Sequence, residues 1–236
     1  MYETKVPAEI YENGSFSLED AEGTPVPVDY YLPKYEPGWT VFDGPLQDHH
    51  FLKESPLDSY DVDDDPLDWP SRELRDEIEI YEKLKCHPHP NIVNYHGVVV
   101  KNDRVTGIVI DKVDSGLYDA LGGPCKASHI VDIEVAMREL QSAVEHLHSI
   151  GIVHCDISPH NLGVDANGRI LLFDFDCAFA IGTKRYGKIY NGSWNVIPDI
   201  LEAEFACVEI DYECLKLTRQ ALLEYPQKFE VITSIR

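Results

Sequence analysis

No apolar run in this sequence is long enough to cross a bilayer. The opening Met1-Tyr2-Glu3-Thr4-Lys5 also lacks the basic segment and apolar stretch of a secretory leader. Both absences point to a soluble, cytoplasmic chain. Cys86, Cys125, Cys155, Cys177, Cys207 and Cys214 form no C-x-x-C pair, which removes the usual spacing of a zinc site or dithiol redox motif. Scattered in this way they read as reduced thiols. Basic side chains are scarce: 20 Lys and Arg stand against 42 Asp and Glu, for a formal charge of -22. Such a chain is repelled by nucleic-acid phosphates and anionic membrane surfaces. The charge therefore speaks for solubility or for basic partners, with no nucleic acid and no membrane expected. Internal repeats are absent as well.

What is present suits a folded globular chain. The 236 residues are 44% hydrophobic, enough for a real core. Residues 1–37 are rich in Glu, Pro and Tyr and read as an irregular extension carrying one or two short strands. Trp39-Thr40-Val41-Phe42 and His49-His50-Phe51-Leu52-Lys53 read as strands about a turn at Asp43-Gly44-Pro45. The acidic run Asp58, Asp61, Asp63, Asp64, Asp65 and Asp68 repels itself and reads as a solvated loop; its spacing does not match a calcium loop.

Pro70 opens a helix whose Leu74, Ile78, Tyr81 and Leu84 recur at steps of three and four, and Cys86-His87-Pro88-His89-Pro90 ends it. Val98-Val99-Val100 and Gly107-Ile108-Val109-Ile110 flank a polar turn at Asn102-Asp103 and predict a buried hairpin. A second helix is expected from about Ile130 to Ile150, with an apolar stripe of Ile133, Met137, Leu140, Val144 and Leu147 and a stop at Gly151. After the polar loop His154–Asn161, Asn167-Gly168 gives the clearest hairpin signal in the chain. A last helix is expected from Asp211 onward.

The chemistry concentrates in that polar loop and beyond it. Asp156 and Asn161 stand five positions apart, and Asp174-Phe175-Asp176 follows an apolar strand. Burying unpaired carboxylates there would be costly, so these groups are not core filling. An Asp, an Asn and a further Asp supply oxygen ligands for a hard cation that keeps waters and binds substrate phosphates. The set suggests phosphoryl transfer.

His154-Cys155-Asp156-Ile157-Ser158-Pro159-His160-Asn161 resembles the H-R-D-L-x-x-x-N catalytic loop of protein kinases, and Asp174-Phe175-Asp176 is similar to their D-F-G. Glu77-Ile78-Glu79-Ile80-Tyr81, running into His89-Pro90-Asn91-Ile92-Val93, is similar to the helix and H-P-N-I-V stretch of the same family. Gly192-Ser193-Trp194 to Pro198-Asp199 is a loose echo of the G-T-x-x-Y-x-A-P-E segment. Over about residues 49 to 215 the chain resembles the divergent kinase-like proteins common in fungi. The resemblance implies an α+β, bilobal fold: the extension over 1–37, a small β-rich N-lobe over 38–113 and a shortened helical C-lobe over 114–236. It implies ATP and Mg²⁺ as cofactors and a protein as substrate or binding partner. Asp156 would be the catalytic base, and Asn161 and Asp174 the magnesium ligands. Lys53 would be the phosphate-binding lysine and Glu77 the glutamate that pairs with it. Backbone groups of Asp111 and Val113 would hold the adenine edge, with Ile110 as gatekeeper. Asp211 would be the buried aspartate of the last helix, and His154 a structural hydrogen-bonding residue.

The departures from the family pattern bear on activity. No G-x-G-x-x-G precedes Lys53, so the backbone cradle over the phosphates is incomplete. Cys155 replaces the arginine that receives a phosphorylated activation loop. Ser158 replaces a lysine expected at the γ-phosphate. Asp176 replaces the glycine of D-F-G and reads equally as a further metal ligand or as a solvated or capping Asp. Three readings follow: a Ser/Thr protein kinase, a pseudokinase kept as a binding or regulatory module, and a small-molecule phosphotransferase of the aminoglycoside or choline kinase type. His89-Pro90-Asn91-Ile92-Val93 favours the protein-kinase side.

Overall fold

A computed structural model of the chain describes residues 28–54, 69–113, 115–117, 132–165, 167–186 and 199–224. The acidic run 58–68 and Gly192–Pro198 lie outside the described residues.

The small lobe is a three-stranded antiparallel sheet in the order β1 (His50–Glu54), β3 (Arg104–Asp111), β2 (Tyr95–Lys101). β2 and β3 form the hairpin expected from their β-branched runs. Asn102 and Asp103 both take positive φ, 52° and 62°, the conformation a tight hairpin turn requires. Helix α2 (Trp69–Cys86) packs on this sheet. Its Leu74, Ile78, Tyr81 and Leu84 are all buried, as their spacing predicts.

One expectation fails. Trp39–Phe42 is not a regular strand of the sheet. Val41 bridges Val98 in parallel, Phe42 N–H donates to Val98 O at 2.9 Å and Val98 N–H to Thr40 O at 2.8 Å. The segment runs along β2, on the edge opposite β1. Glu82 of α2 fixes it there, accepting from Thr40 N–H at 2.5 Å and Thr40 Oγ1 at 3.0 Å. Gly97 is required at this crossing: its φ is +138°, and a Cβ would meet Phe42 N at 2.7 Å. The described part of the N-terminal extension holds no strand. It contains the short helix α1 (Val28–Tyr31) and a bridge from Lys34 to Arg104.

The larger lobe centres on α3 (Ile133–Ser149), whose first turn is capped by Asp132 Oδ1 accepting from Glu134 N–H and Val135 N–H. Ala136, Met137, Leu140, Ala143, Val144 and Leu147 form its buried face. Gly151 follows at φ +77° and turns the chain into β5 (Ile152–Val153). β4 (Ser115–Gly116), β6 (Leu162–Val164) and β7 (Ile170–Leu172) make a second small sheet, and β5 pairs with β8 (Phe179–Ala180). The β6–β7 hairpin turns at Asn167-Gly168, with Asp165 Oδ1 accepting from Asn167 N–H and Arg169 N–H.

Helix α4 (Val208–Glu224) closes the described C-lobe. It buries Ile210, Cys214, Leu215 and Leu222, together with Asp211 and Thr218. Its outward face carries the polar Glu209, Lys216, Arg219 and Gln220 together with the exposed Tyr212 and Leu223. Five cysteines fall among the described residues, and all are free thiols. Among the described residues, no helix is long and apolar enough to cross a membrane.

Candidate active site

The elements meet on one ionic network. Lys53 of β1 places Nζ 2.7 and 2.8 Å from the two carboxylate oxygens of Glu77 on α2, and 2.5 Å from Asp174 Oδ1. Glu77 is only 2% exposed. It sits on the apolar side of α2, among residues whose spacing drives that face inward, and it also accepts from Phe175 N–H at 3.3 Å. Burial opposes the charge on Lys53, but Glu77 and Asp174, with Asp176, outweigh it and hold the ammonium well above its ordinary range. Burial lifts the Glu77 carboxyl above the usual carboxylate range, and the Lys53 ammonium pulls it back down.

The loop after β5 carries the second group. Asn161 Nδ2 donates to Asp156 O at 2.9 Å and to Asp156 Oδ2 at 2.8 Å. That amide hydrogen bond fixes the Asp156 rotamer and leaves Asn161 Oδ1 as its acceptor atom. Burial pushes Asp156 up to about 6; His154 and Asn161 oppose the shift, while Asp176 and Asp174 add to it. Three carboxylates therefore repel one another in one region. That is the electrostatic setting a divalent cation relieves, so the residues fit magnesium. Among the described residues no three His, Cys, Asp or Glu side chains form a metal cage of their own. Magnesium needs none, since it takes one or two carboxylates and fills its shell with water and phosphate.

The loop is anchored from behind by α4. Asp211, fully buried, accepts from His154 N–H at 3.0 Å, Cys155 N–H at 2.8 Å and the His148 ring at 2.8 Å. This holds Cys155 at φ 64°, a left-handed conformation unfavourable for a side chain with a Cβ. Thr218 Oγ1 donates to Ile157 O at 3.1 Å, an anchor that no pattern in the sequence announced. His154 is structural, as its position implied: Asp156 N–H donates to its Nδ1, and its Nε2 faces Phe173 O at 3.2 Å. Ring contacts run from Tyr95 to Tyr81 at 5.5 Å, Tyr81 to Phe175 at 5.2 Å and Phe175 to His154 at 4.9 Å. An aromatic column thus joins the two lobes beside the ion network.

Ile110 is buried where β3 ends, between Phe51 and Tyr95. Asp111 N–H donates to Asn94 O and Lys112 N–H to His49 O, while the Asp111 carboxylate is held by Asn94 and His96. Val113 follows in the segment that leads out of β3. Below it, Gly163 of β6 lies so close that a Cβ would meet the Val113 side chain at 2.7 to 3.0 Å. Ser158 is fully buried, so the polar group replacing the family lysine does not face a phosphate. His49, His50 and His96 meet edge-on or tilted at 4.1 to 6.4 Å, and His89 stacks on His146, so these histidines pack on one another.

A family model described as "Protein kinase domain" matches residues 52–214. Serine/threonine-protein kinase SSK22 of Saccharomyces cerevisiae is 32% identical over 120 residues, covering 51% of this chain and 9% of that protein. Serine/threonine-protein kinase SKS1 of the same yeast is 36% identical over 98 residues, 41% of this chain and 19% of that protein. Mitogen-activated protein kinase kinase kinase 4 of Homo sapiens is 32% identical over 107 residues, 45% of this chain and 6% of that protein. This chain spans well under two thirds of each of these relatives.

Proposed function

Because this chain belongs to the protein kinase family, we propose that it is an ATP- and magnesium-dependent phosphotransferase acting on serine or threonine hydroxyls of proteins. The relatives it matches are named for that class. The observation that carries the reading is the Lys53–Glu77–Asp174 network, electrostatically coupled to the Asp156–Asn161 pair. A binding scaffold has no physical need to hold all five groups in this order. The net charge of -22 favours basic protein substrates. The scattered thiols favour a reducing, cytoplasmic setting. We assign residues 38–113 to the small lobe and 114–236 to a shortened C-lobe.

In this reading Glu77 fixes the Lys53 ammonium, which orients the nucleotide phosphates. Asn161 and Asp174 would hold magnesium, which would supply charge neutralisation on the transferred phosphoryl group. Asp156, oriented by Asn161, accepts the proton of the attacking hydroxyl. Its pKa near 6 keeps it ionised at pH 7 yet basic enough to take that proton.

Thermal unfolding with and without Mg·ATP tests the reading. Ligand at 100 times its Kd adds about 2.7 kcal/mol, a midpoint rise of several degrees. Asp174→Asn should abolish the rise. No rise in millimolar Mg·ATP overturns the proposal. Transfer of labelled γ-phosphate to basic proteins, lost in Asp156→Asn, then separates catalysis from binding.

A second reading, a nucleotide-binding pseudokinase, draws support from one observation. Among the described residues, β1 is an edge strand with Phe51 half exposed, and no strand pair covers it. Binding of Mg·ATP without phosphate transfer would favour that reading.

A further inference from the structure

Cys155 brings no charge to the position where a phosphorylated activation segment is usually received. Its thiol is buried, and burial pushes its pKa up, further from ionisation. The cation close to it comes from the segment itself. Arg185 is 4% exposed and donates through Nη1 to Leu201 O at 2.8 Å and Ala203 O at 3.0 Å. Its main-chain N–H donates to Glu204 O at 2.9 Å, and the neighbouring Lys184 bridges Phe205. The segment is thereby stitched to the stretch that leads into α4.

The next side chain reaches into the other lobe. The Tyr186 hydroxyl donates to Asp76 Oδ2 on α2, the residue immediately before Glu77. The Arg72 guanidinium lies 4.0 Å from the Tyr186 ring centroid, and Phe179 meets the same ring edge-on at 5.1 Å. Arg185 and Tyr186 are adjacent, so two successive residues fasten one segment to both lobes. The position of α2 decides whether Glu77 reaches Lys53.

We propose that Arg185 and Tyr186 are positioning residues, a phosphate-free clamp that ties the activation segment of the larger lobe to α2 and so holds Glu77 on Lys53. Resting on the phosphotransferase reading, it gives that site a regulation of its own: assembly without loop phosphorylation. The chemistry is self-consistent. The hydroxyl donates to a carboxylate, the ring faces a guanidinium, and the buried guanidinium donates to main-chain carbonyls.

The experiment uses the full chain, treated with phosphatase and checked for phosphate by intact mass. Tyr186→Phe keeps the ring and removes only the hydroxyl, and Asp76→Asn removes the charge it binds. We expect the dephosphorylated parent to transfer phosphate. Each variant should lower kcat about tenfold, with the KM for ATP changed less than twofold and the unfolding midpoint nearly unchanged. The double variant should lose no more than either single one. Amide exchange in α2 around Glu77 should rise about tenfold in both. Activity of the parent that disappears on dephosphorylation overturns the clamp. So does unchanged α2 exchange in Tyr186→Phe. If the parent transfers no phosphate at all, the phosphotransferase reading fails, and the exchange comparison alone decides the clamp.

Discussion

Lys53 Nζ lies 2.5 Å from Asp174 Oδ1 although 121 positions separate the two residues. The contact joins the small sheet to the strand end after β7, and Glu77 completes it from α2. Everything proposed about catalysis depends on this junction.

Removing its cation should show in stability first. Lys53→Met leaves Glu77 buried beside Asp174 with no counter-ion. Breaking such a pair costs about 3–5 kcal/mol. Burial already lifts Glu77, so without Lys53 it takes up a proton in the folded state. The folded variant then binds more protons than the unfolded chain, and its stability falls as pH rises. Urea unfolding should give a loss of about 3 kcal/mol at pH 8 and a smaller one at pH 6. Adding Glu77→Gln should flatten that difference; a loss equal at both pH values would contradict it.

The base has its own pH signature. Asp156 titrates near 6 in the folded chain against an ordinary 3.8, so between about pH 4 and 6 the folded state binds the extra proton. Stability contributed by this group falls as pH rises through that window, while activity rises as the carboxylate ionises. The logarithm of kcat/KM should climb with unit slope below about pH 6 and level above it. Asp156→Asn should abolish transfer while raising stability at pH 7 by roughly 1–2 kcal/mol, after discounting for solvent access. A destabilised Asp156→Asn would mean that burial is not what lifts the group.

Gly163 sets the distance between β6 and the segment that would hold adenine. A methyl group there would press on Val113, whose atoms lie 2.7 to 3.0 Å from the ideal Cβ. Calorimetry should find Mg·ATP binding weakened severalfold in Gly163→Ala and largely restored by Val113→Ala in the same chain. Equal affinity in parent and Gly163→Ala would remove Val113 from the nucleotide site.

Asp211 is the support of the catalytic loop. Asp211→Ala strands two buried main-chain donors and the His148 ring, at about 1–3 kcal/mol for a buried group left unsatisfied. It also releases Cys155 from its positive φ. Thermal unfolding should fall by several degrees and Asp156-dependent transfer should drop more than a hundredfold. Full activity at a lowered midpoint would confine Asp211 to stability.

The sequence alone determined whatever depends on neighbours along the chain. The spacing of Leu74, Ile78, Tyr81 and Leu84 set a buried helix face, the turn residues Asn102-Asp103 and Asn167-Gly168 set two hairpins, and Asp156 with Asn161 marked a polar loop. The order of these motifs carried the family resemblance, and through it Lys53, Glu77 and Asp174 were named as one set. Tertiary packing decided the rest. Thr40 and Phe42 read as part of a strand ahead of the turn at Asp43-Gly44-Pro45, yet they form no regular strand, and Glu82 and Val98 hold them along the edge of the sheet opposite β1. Ser158 read as the loss of a phosphate-binding lysine, and only the packing shows its hydroxyl enclosed by protein. Arg185 and Tyr186 stood where the pattern along the chain had faded, and their partners Leu201, Ala203 and Asp76 lie up to 110 positions away. A period or a turn residue constrains φ, ψ and the buried face of its own segment. Which distant carboxylate, carbonyl or ring that face meets is fixed only when the hydrophobic surfaces close on one another and every buried donor must find an acceptor.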